Sequence, residues 1–522
     1  MPTEPGGSAP GGMGKRYQHS RGRLPAASAV RKTRGGVMQP KIALLSDELI
    51  ERVLAEAFQI LMKPGIKVQS SRARQLLAEA GALVDEDSEV VRIPEDLARK
   101  ALETVPREFW LYDRDGNPAV HYGGDDVHFD PGSSGVHILD PKTMEHRPST
   151  GPDLIRLVKV AEMLPQYDAQ STAVVCNEIP KEIGDLYRLY LVLLHSKKPI
   201  VTGAFSTRTT RVMFDMLAIF TGGRDELAKK PLAIFDVCPS PPLIWSDFGA
   251  ENLIDLARAM VPAEIVSMPL AGAAAPVTII GSVVQHAAEC ISGITIHQLA
   301  RPGAPIVWGG APAIFDMRQG TTPMGAIETA MIDAAYTQVG KSLGLPTHAY
   351  LGATDAKVLD YQAGLESGIS ALIGALAGIN MISGAGMLDF LACQSAEKLV
   401  VDAEAIGMAK RLLQGIEVRT DTLALEFYES FAFRGDFLKQ KITRRLFPKE
   451  QYLPSSVIDR GSIRTWHQQG SPDTFQRAKI RVAELLAAYE RPPMAPEEER
   501  ELRKLVESVA REAGMDRLPE VG

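Results

Sequence analysis

The chain has 522 residues, of which 45% are hydrophobic and 23% are charged, a balance typical of globular proteins with a large core. Its net charge of -7 disfavours a broad nucleic-acid surface, which needs clustered lysine and arginine. No apolar run reaches the roughly 18 residues that a membrane span requires. The length predicts one large core with added segments, or two domains.

Residues 1–40 differ in composition from the rest of the chain. They are basic, rich in glycine, proline and serine, and lack the apolar core of a secretory signal. We interpret them as a disordered tail, with a transit-type or RNA-contacting tail as the alternative. Four scattered cysteines predict no disulfide framework, which favours a reducing cytoplasm.

Residues 41–130 form the next segment, which we predict to be an N-terminal accessory region. In "LSDELIERVLAEAFQILMKPG", Ser46 and Asp47 are capping candidates, and the apolar residues that follow have helical spacing. A second amphipathic stretch, "SRARQLLAEAGALVDED", comes next. The short runs "VVRIP" and "EFWLYDRDG" indicate a few strands or turns near residues 90–140.

The central chain repeats one pattern, a short strand-like run followed by a helical stretch. Seven such runs begin near residues 168, 198, 231, 263, 304, 346 and 378. The repetition predicts an α/β fold, a parallel sheet closed into a (β/α)8 TIM-type barrel over residues 131–415. The eighth strand would lie before residue 168 or after residue 415. A doubly wound open sheet is the main alternative, but its usual glycine-rich phosphate loop is missing from the sequence.

Two further observations complete the outline. Gly303, Gly344, Gly378 and Gly415 stand where predicted helices end, as C-terminal helix caps often do. Beyond residue 415 the pattern is helical and charged, and residues 416–522 are predicted to form a C-terminal helical cap. The fold prediction is therefore a barrel with mainly helical additions at both ends.

The active site of such a barrel lies at the carboxyl ends of the strands, where loops vary while the scaffold stays packed. "YLGATDAKVLDYQAGLE" contains one strand end, so we expect Thr354, Asp355 and Lys357 to face the barrel mouth. The alternative is an exposed loop in which Asp355 and Lys357 form a solvated ion pair. Asp360 and Glu366 fit helix capping or helix-surface charge better.

Aromatic residues accompany other strand ends and predict a site for an organic cation. Asp316 closes a segment that contains Trp308 and Phe315, which brings a carboxylate near two rings. Phe205 and Tyr350 follow two further strands. Packing in the barrel wall is the alternative for each ring, and for Trp308 it is the better one.

Metal chemistry gains little support from the sequence. His286 and Glu289 share one predicted helix, as a metal half-site or, more commonly, as a polar stripe at a helix interface. The chain contains no G-x-S-x-G elbow, phosphate loop or Cys-His signature. We therefore predict no metal site and no common hydrolytic or nucleotide chemistry.

Several passages resemble the trimethylamine:corrinoid methyltransferase family over about residues 46–493: "HILDPKTMEHRPST", "PLAGAAAPVTIIGSVVQHAAE", "RPGAPIVWGG", "PTHAYLGATDAKVLDYQAGLE" and "SAEKLVVDAEAIGMAKRLLQGIEV". The resemblance implies a (β/α)8 barrel and a small corrinoid protein that inserts its cobalamin at the barrel mouth. It also implies methyl transfer from a substrate nitrogen to Co(I). Because the chain has no D-x-H-x-x-G corrinoid motif, the cobalamin is expected to come from that partner.

Two departures from the family pattern bear on the donor. The founding members carry pyrrolysine near the segment that aligns with residues 353–357, where this chain has standard residues only. Trimethylamine must be activated before its nitrogen can leave, whereas a quaternary ammonium already has a neutral leaving group. In "FRGDFLKQKITRRLF", Ile442 precedes Thr443 where many relatives have a histidine-threonine pair. These departures favour the non-pyrrolysine, betaine-demethylating branch.

The predicted function is methyl transfer from a betaine-like quaternary amine to the corrinoid of a partner protein. The resemblance places Thr354, Asp355 and Lys357 at the substrate, Lys357 on its carboxylate. The trimethylammonium head would contact rings such as Phe205, Phe315 or Tyr350. The alternatives are demethylation of trimethylamine or a sulfonium compound, and a non-catalytic quaternary ammonium-binding protein. Homo-oligomerisation stays open.

Overall fold

Eight parallel strands form the centre of the computed structural model, which describes residues 38–429, 433 and 437–519. In chain order we call them β1 to β8: His128–Pro131, Gln170–Ser171, Ile200–Gly203, Ala233–Val237, Ala263–Ser267, Ile306–Gly310, Thr347–Ala349 and Met381–Ala385. Their order around the sheet is β1-β8-β7-β6-β5-β4-β3-β2. The predicted barrel is confirmed, and its eighth strand is β1, inside the segment assigned to the N-terminal region.

The barrel closes between β1 and β2 through hydrogen bonds on both sides of a short gap. The Asp168 N–H donates to the Phe129 carbonyl (2.8 Å), and the Gly135 N–H donates to the Ala173 carbonyl (3.0 Å). β1 pairs in parallel with β8 on its other side. Closure brings all eight carboxyl ends to one rim, the barrel mouth.

A helix follows each strand and packs on the outside of the barrel. We call these helices α1 to α8: Gly151–Glu162, Gly184–His195, Thr207–Ile219, Asp247–Ala259, Ile279–Ala300, Ile327–Ser342, Tyr361–Ala377 and Ala396–Leu413. Ser206, Ser246, Thr278, Asp360 and Ser395 cap the starts of five of them through side-chain oxygens, as the capping preference predicts.

α5 is long and apolar enough to cross a membrane by length and composition alone, but 83% of its most apolar window is buried inside the protein. It packs against the N-terminal helices on one side and the barrel on the other. Its apolar character is therefore explained by core packing. His286 and Glu289 lie on this helix, where they hydrogen-bond to the Gly309 carbonyl and to the Leu243 N–H.

The N-terminal region covers the side and the floor of the barrel. Its helices are Asp47–Met62, Ser71–Glu79 and Glu95–Thr104, and its strands are Ile66–Val68, Leu83–Asp85, Val90–Arg92, Phe109–Tyr112 and Pro118–Tyr122. The last two strands form a hairpin whose Leu111, Val120 and Tyr122 are fully buried. They pack against a ring of inward-facing side chains: Ala169, Val201, Ile234, Val307 and Met381. The hairpin therefore plugs the amino-terminal end of the barrel.

The two long C-terminal helices lie on the flank of the barrel. Thr474–Ala488 packs on α8 and α1, and Pro496–Glu512 packs on α3 and α2. The remaining helical segments are Lys181–Ile183, Arg224–Lys229, Leu425–Tyr428, Phe437–Lys439, Lys441–Glu450 and Ile463–Gln468. The predicted disordered tail, apart from residues 38–40, and residues 434–436 of the "FRGDFL" segment lie outside the described residues.

Short strands lie in the loops around the mouth: His137–Leu139, His146–Pro148, Ile244–Trp245, Leu270–Ala271, Ala313–Ile314, Met387–Leu388 and Cys393–Gln394. Most belong to loops that follow barrel strands. Ile244–Trp245 joins the N-terminal sheet through Ile66–Val68, and the other six pair with one another in small sheets. Gly303, Gly344, Gly378 and Gly415 all have positive φ after helix ends, as expected for helix caps. The loops of the mouth are thus supported by backbone pairing.

The close contact between α6 and the barrel wall gives a stability prediction. A Cβ at Gly340 would lie 2.7 Å from Cδ1 and 2.8 Å from Cγ of the rigid Trp308 ring. We expect Gly340→Ala to lower the free energy of unfolding by about 1–3 kcal/mol, measured as a lower urea midpoint. Gly364→Ala on α7 is the matched control, since its Cβ would meet open space and helix propensity favours alanine. Equal losses from both variants would contradict the packing argument.

Candidate active site

Titratable side chains lie inside the barrel, on strands that otherwise carry apolar residues. Asp130 is on β1, Asp236 on β4, Glu264 on β5 and His348 on β7. Asp130, Glu264 and His348 have no exposed surface, and Asp236 is partly buried. Strand alternation turns these side chains inward while neighbours such as Phe235 and Ile265 join the core beneath the helices. They form a polar layer above the apolar floor, which we call the carboxyl cluster.

Hydrogen bonds connect the members of the cluster across the barrel. The Ser383 hydroxyl donates to Asp130 Oδ1 (2.5 Å) and lies 3.0 Å from His348 Nε2. His348 Nδ1 lies 3.0 Å from Glu264 Oε1, although the two atoms are not aligned as a hydrogen bond. Tyr122 of the floor hairpin donates to Glu264 Oε2 (3.3 Å). The cluster therefore spans the barrel from β1 to β5 and is anchored to its floor.

Burial controls the protonation states of these groups. Loss of hydration raises the pKa of Glu264 to about 8 and raises the pKa values of Asp130 and Asp236 well above the usual range for aspartate. The same cause lowers the pKa of His348 to about 4, so its imidazole is neutral near pH 7. Without a ligand, the cluster is a set of largely protonated carboxyl groups beside a neutral imidazole. Asp130 Oδ2 and Asp236 Oδ1 have no hydrogen-bond partner among the described residues.

Tyr350 covers the cluster at the carboxyl end of β7. Its hydroxyl donates to Asp236 Oδ2 (2.9 Å) and lies 2.8 Å from the Ser133 hydroxyl. Its ring meets the His348 imidazole edge-on with centroids 5.0 Å apart. Tyr350 was predicted from the sequence as a substrate-binding candidate, and the structure brings it directly to the cluster.

Comparison with known proteins assigns the family. The sequence profile described as "Trimethylamine methyltransferase (MTTB)" matches residues 13–514. The trimethylamine methyltransferase MttB of Desulfitobacterium hafniense (strain DSM 10664 / DCB-2) is 30% identical over 476 residues, which are 91% of this chain and 96% of MttB. The chain belongs to the trimethylamine methyltransferase family.

Two further relatives are a second trimethylamine methyltransferase and a glycine betaine methyltransferase. MttB of Methanosarcina thermophila is 32% identical over 461 residues, covering 87% of this chain and 95% of MttB. The glycine betaine methyltransferase of Desulfitobacterium hafniense (strain Y51) is 28% identical over 481 residues, covering 92% and 99%. The crystal structure of Methanosarcina barkeri MtmB covers 85% of this chain at 13% identity with a TM-score of 0.49, so the barrel assignment rests on the strand order itself.

In this family member, the loop after β7 is held by its own polar side chains. The Thr354 hydroxyl donates to Glu366 Oε2 (2.5 Å), which also accepts the Asp355 N–H (2.9 Å). Asp355 Oδ1 accepts the backbone N–H groups of Met324 (2.7 Å) and Gly325 (3.0 Å). Thr354 is fully buried, and Asp355 links its loop to the loop after β6. The contacts of Thr354 and Asp355 hold the backbone of the loops after β6 and β7, and none of them joins a residue of the carboxyl cluster.

Lys357 lies on the outer rim. Its side chain is 55% exposed, pairs with Asp389 Oδ1 (3.2 Å), and lies 3.8 Å from the centre of the Phe390 ring. Its Nζ also donates to the Asp355 carbonyl (2.7 Å). The solvated pair expected as the alternative is therefore formed with Asp389 and not with the Asp355 carboxylate.

The other predicted residues have different surroundings. Trp308 is fully buried and donates its indole N–H to the Tyr336 carbonyl on α6, so it packs in the barrel wall, the alternative preferred from the sequence. Asp316 turns back to Arg318 (2.7 Å to Nη2) in an exposed turn. Phe315 is partly buried beside that turn, and Phe205 is 51% exposed at the mouth. Of the five predicted substrate-binding residues, Tyr350 hydrogen-bonds to the carboxyl cluster and Phe205 stacks on the Arg188 guanidinium.

Sequence reasoning missed the carboxyl cluster, although a signal was present. Strands buried on both sides normally read as continuous apolar runs. "AIFDV", "AEIVS" and "THAY" each break that rule with one titratable residue, Asp236, Glu264 or His348. Such a break indicates an inward-facing functional group, because burial of an unpaired charge is costly.

The loop network gives a prediction that separates scaffold from substrate contact. Asp355→Ala leaves two partly buried N–H groups, those of Met324 and Gly325, without an acceptor, so we expect a loss of about 1–3 kcal/mol in the free energy of unfolding. Lys357→Ala, at an exposed site in the same loop, should change it by less than about 0.5 kcal/mol. Thermal and urea unfolding of both variants measure the difference. A stable Asp355→Ala protein with lost activity would instead give Asp355 a role at the substrate.

Proposed function

We propose that this enzyme transfers a methyl group from a betaine-like quaternary amine to the Co(I) corrinoid of a partner protein. The observation that carries the proposal is the buried carboxyl cluster beneath Tyr350. A barrel centre with three carboxyl groups and a neutral histidine suits a permanently cationic substrate.

Burial makes ionisation of the three carboxyl groups unfavourable. Burial raises the pKa of each carboxyl group, because the charged form loses its hydration. A trimethylammonium head at the top of the cluster would supply the missing positive charge, and ionisation would then become favourable. The ring of Tyr350 adds a cation–π contact of roughly 0.5–2 kcal/mol. Binding of the cation and loss of a proton are therefore expected to be coupled.

Methyl transfer from a quaternary amine depends on positioning of the donor more than on acid or base catalysis. The corrinoid supplies a Co(I) electron pair for the new Co–C bond, while the electron pair of the broken C–N bond leaves with the nitrogen as a neutral tertiary amine. No proton has to be delivered to that leaving group. Asp236, Glu264 and Tyr350 would hold the nitrogen, orient one methyl group to the mouth and exclude water.

The rim of the mouth fits the approach of a flat apolar ring system. Met268 and Val277 follow β5, Met317 follows β6, and all three are more than a third exposed. A Cβ at Gly272 would lie 3.2 Å from Met317 Cε and 3.6 Å from Val277 Cγ2, so the loops bring these side chains together. We propose that this apolar rim receives the corrinoid partner. The four cysteines are free, and we propose a reducing, cytoplasmic setting.

The donor class is tested by direct transfer. Wild-type protein is mixed with Co(I) cobalamin and glycine betaine, choline, trimethylamine or a dimethylsulfonium compound, and methyl-Co(III) is followed by its absorbance. We expect transfer from a quaternary ammonium donor and none from trimethylamine. Transfer from trimethylamine or the sulfonium compound alone would refute the donor class. Donor binding without transfer, even when corrinoid protein is supplied, would indicate a binding protein.

The raised pKa of Glu264 gives a prediction on pH. Cation binding favours the carboxylate, so affinity for a quaternary ammonium should increase as pH rises towards about 8, by up to about tenfold per unit. Calorimetry from pH 6 to 9 measures this change, and proton release follows from its dependence on buffer. Glu264→Gln should remove the component with its midpoint near pH 8. An affinity independent of pH in wild type would contradict the coupling.

The stability of the protein without donor gives a second test of the raised Glu264 pKa, because it should fall with rising pH while cation affinity increases. The folded-state pKa of Glu264 lies above the unfolded value of about 4.3. The stability contributed by the protonated group is therefore present at low pH and lost as pH rises through about 8. The melting temperature of wild type should therefore fall more steeply between about pH 5 and 8 than that of Glu264→Gln, and the two slopes should converge above about pH 8.

A further inference from the structure

We infer that Arg188 binds the carboxylate of a zwitterionic donor, so that the substrate is a quaternary ammonium compound with a carboxylate a few atoms from its nitrogen. This inference rests on the proposed function and narrows it from quaternary amines to betaines. It also moves the carboxylate site from Lys357 on the outer rim to a buried position beside the cluster.

Arg188 lies on α2, and its guanidinium reaches the carboxyl ends of β1 and β2. Nη1 donates to the Ser134 hydroxyl (3.0 Å) and to the Thr172 carbonyl (3.1 Å). The residue is only 1% exposed. Nε and Nη2 are buried and have no hydrogen-bond partner in the described part of the chain. One edge of the guanidinium is therefore satisfied, and the other keeps two unused donors.

No carboxylate of the described residues forms an ion pair with this guanidinium. Asp185, one helical turn earlier on α2, accepts the Phe205 N–H (2.6 Å), the Thr209 hydroxyl (2.5 Å) and the Leu186 N–H (2.7 Å). Its hydrogen bonds fasten the loop after β3 instead. A buried arginine with two free donors costs stability unless an anion completes it. The fork geometry of those donors suits a carboxylate.

The anionic and cationic poles lie side by side. Ser133 lies 2.8 Å from Tyr350 on the cluster side, and Ser134 accepts from Arg188 on the other side. Ser133 and Ser134 are adjacent in the chain, so Tyr350 and the Nη1 side of Arg188 lie in one neighbourhood at the mouth. This neighbourhood suits a substrate that carries its carboxylate a few atoms from its nitrogen.

Phe205 controls access to this pole. Its ring stacks 4.9 Å from the centre of the guanidinium, while half of its surface is exposed. A donor carboxylate would have to enter beside this half-exposed ring to reach the two free donors of Arg188. Phe205 is predicted from the sequence to contact the ammonium head of the donor. In the structure its ring lies over the Arg188 guanidinium.

The test compares two kinds of donor in matched variants. Arg188→Gln removes the charge but keeps an N–H for Ser134, Arg188→Lys keeps the charge without the fork, and Lys357→Gln neutralises the rim cation. Glycine betaine and γ-butyrobetaine represent carboxylated donors, and choline and tetramethylammonium represent donors without a carboxylate. KM is measured by methyl transfer, and Kd by calorimetry without corrinoid.

We expect Arg188→Gln to raise KM and Kd about 10- to 100-fold for the best carboxylated donor and less than threefold for donors without a carboxylate. Arg188→Lys should recover part of that loss, and Lys357→Gln should show no difference between the two classes. Equal losses for both classes in Arg188→Gln would overturn the inference. A loss selective for carboxylated donors in Lys357→Gln alone would return the carboxylate to the rim.

A second measurement does not depend on folding of the variants. With wild type, acetate should compete with glycine betaine yet leave the binding of tetramethylammonium unchanged, because the acetate fills only the anionic pole. Acetate without effect on glycine betaine would overturn the inference. If no quaternary donor transfers a methyl group, the proposed function fails, while the binding data still decide the role of Arg188. If only choline and tetramethylammonium react, the function stands and the carboxylate site is wrong.

Discussion

Desolvation of carboxyl groups is the constraint on which the rest of this structure depends. Asp130 and Glu264 lie inside a closed barrel where water cannot solvate a negative charge, and protonation is the cheapest way to keep them there. The surrounding residues are arranged accordingly. Ser383 and Tyr122 give hydrogen bonds, and His348 remains neutral. Under the proposed function, binding of the cation would itself create the negative charge of the site.

The interior of the barrel changes in chemical character from the floor to the mouth. The floor is apolar and plugged by the hairpin of residues 109–122, the middle holds the carboxyl cluster, and the rim carries exposed apolar loops. Under the proposed function, the floor would stabilise the barrel, the middle would hold the donor, and the rim would receive the partner. Thr354 and Asp355 serve this arrangement by fastening the loops of the mouth, since their side chains bind backbone and Glu366.

The sequence predicted the barrel well because its signal is repeated. Seven βα units and the glycines after their helices agree with one another, so an error in one unit does not change the fold. β1 was missed because "HFDP" is short and polar, and its strand character depends on pairing with β8. The site was harder to predict. Periodicity shows that Glu264 is in a strand, but only closure of the barrel brings it within reach of His348 from β7. Arg188 was missed although its signal resembles that of the cluster, because α2 is buried along its whole length and a charged residue stands out in so apolar a helix.

The plug in the floor has a kinetic consequence. Tyr122 reaches Glu264 from below, and Leu111, Val120 and Tyr122 of the hairpin are fully buried, so we expect protons to exchange with bulk water through the mouth. If the partner docks at the mouth as proposed, the number of protons in the cluster would be fixed until the partner leaves. The protonation state chosen during donor binding would then persist through the whole encounter, and the acidity of the medium would act on the enzyme only between encounters.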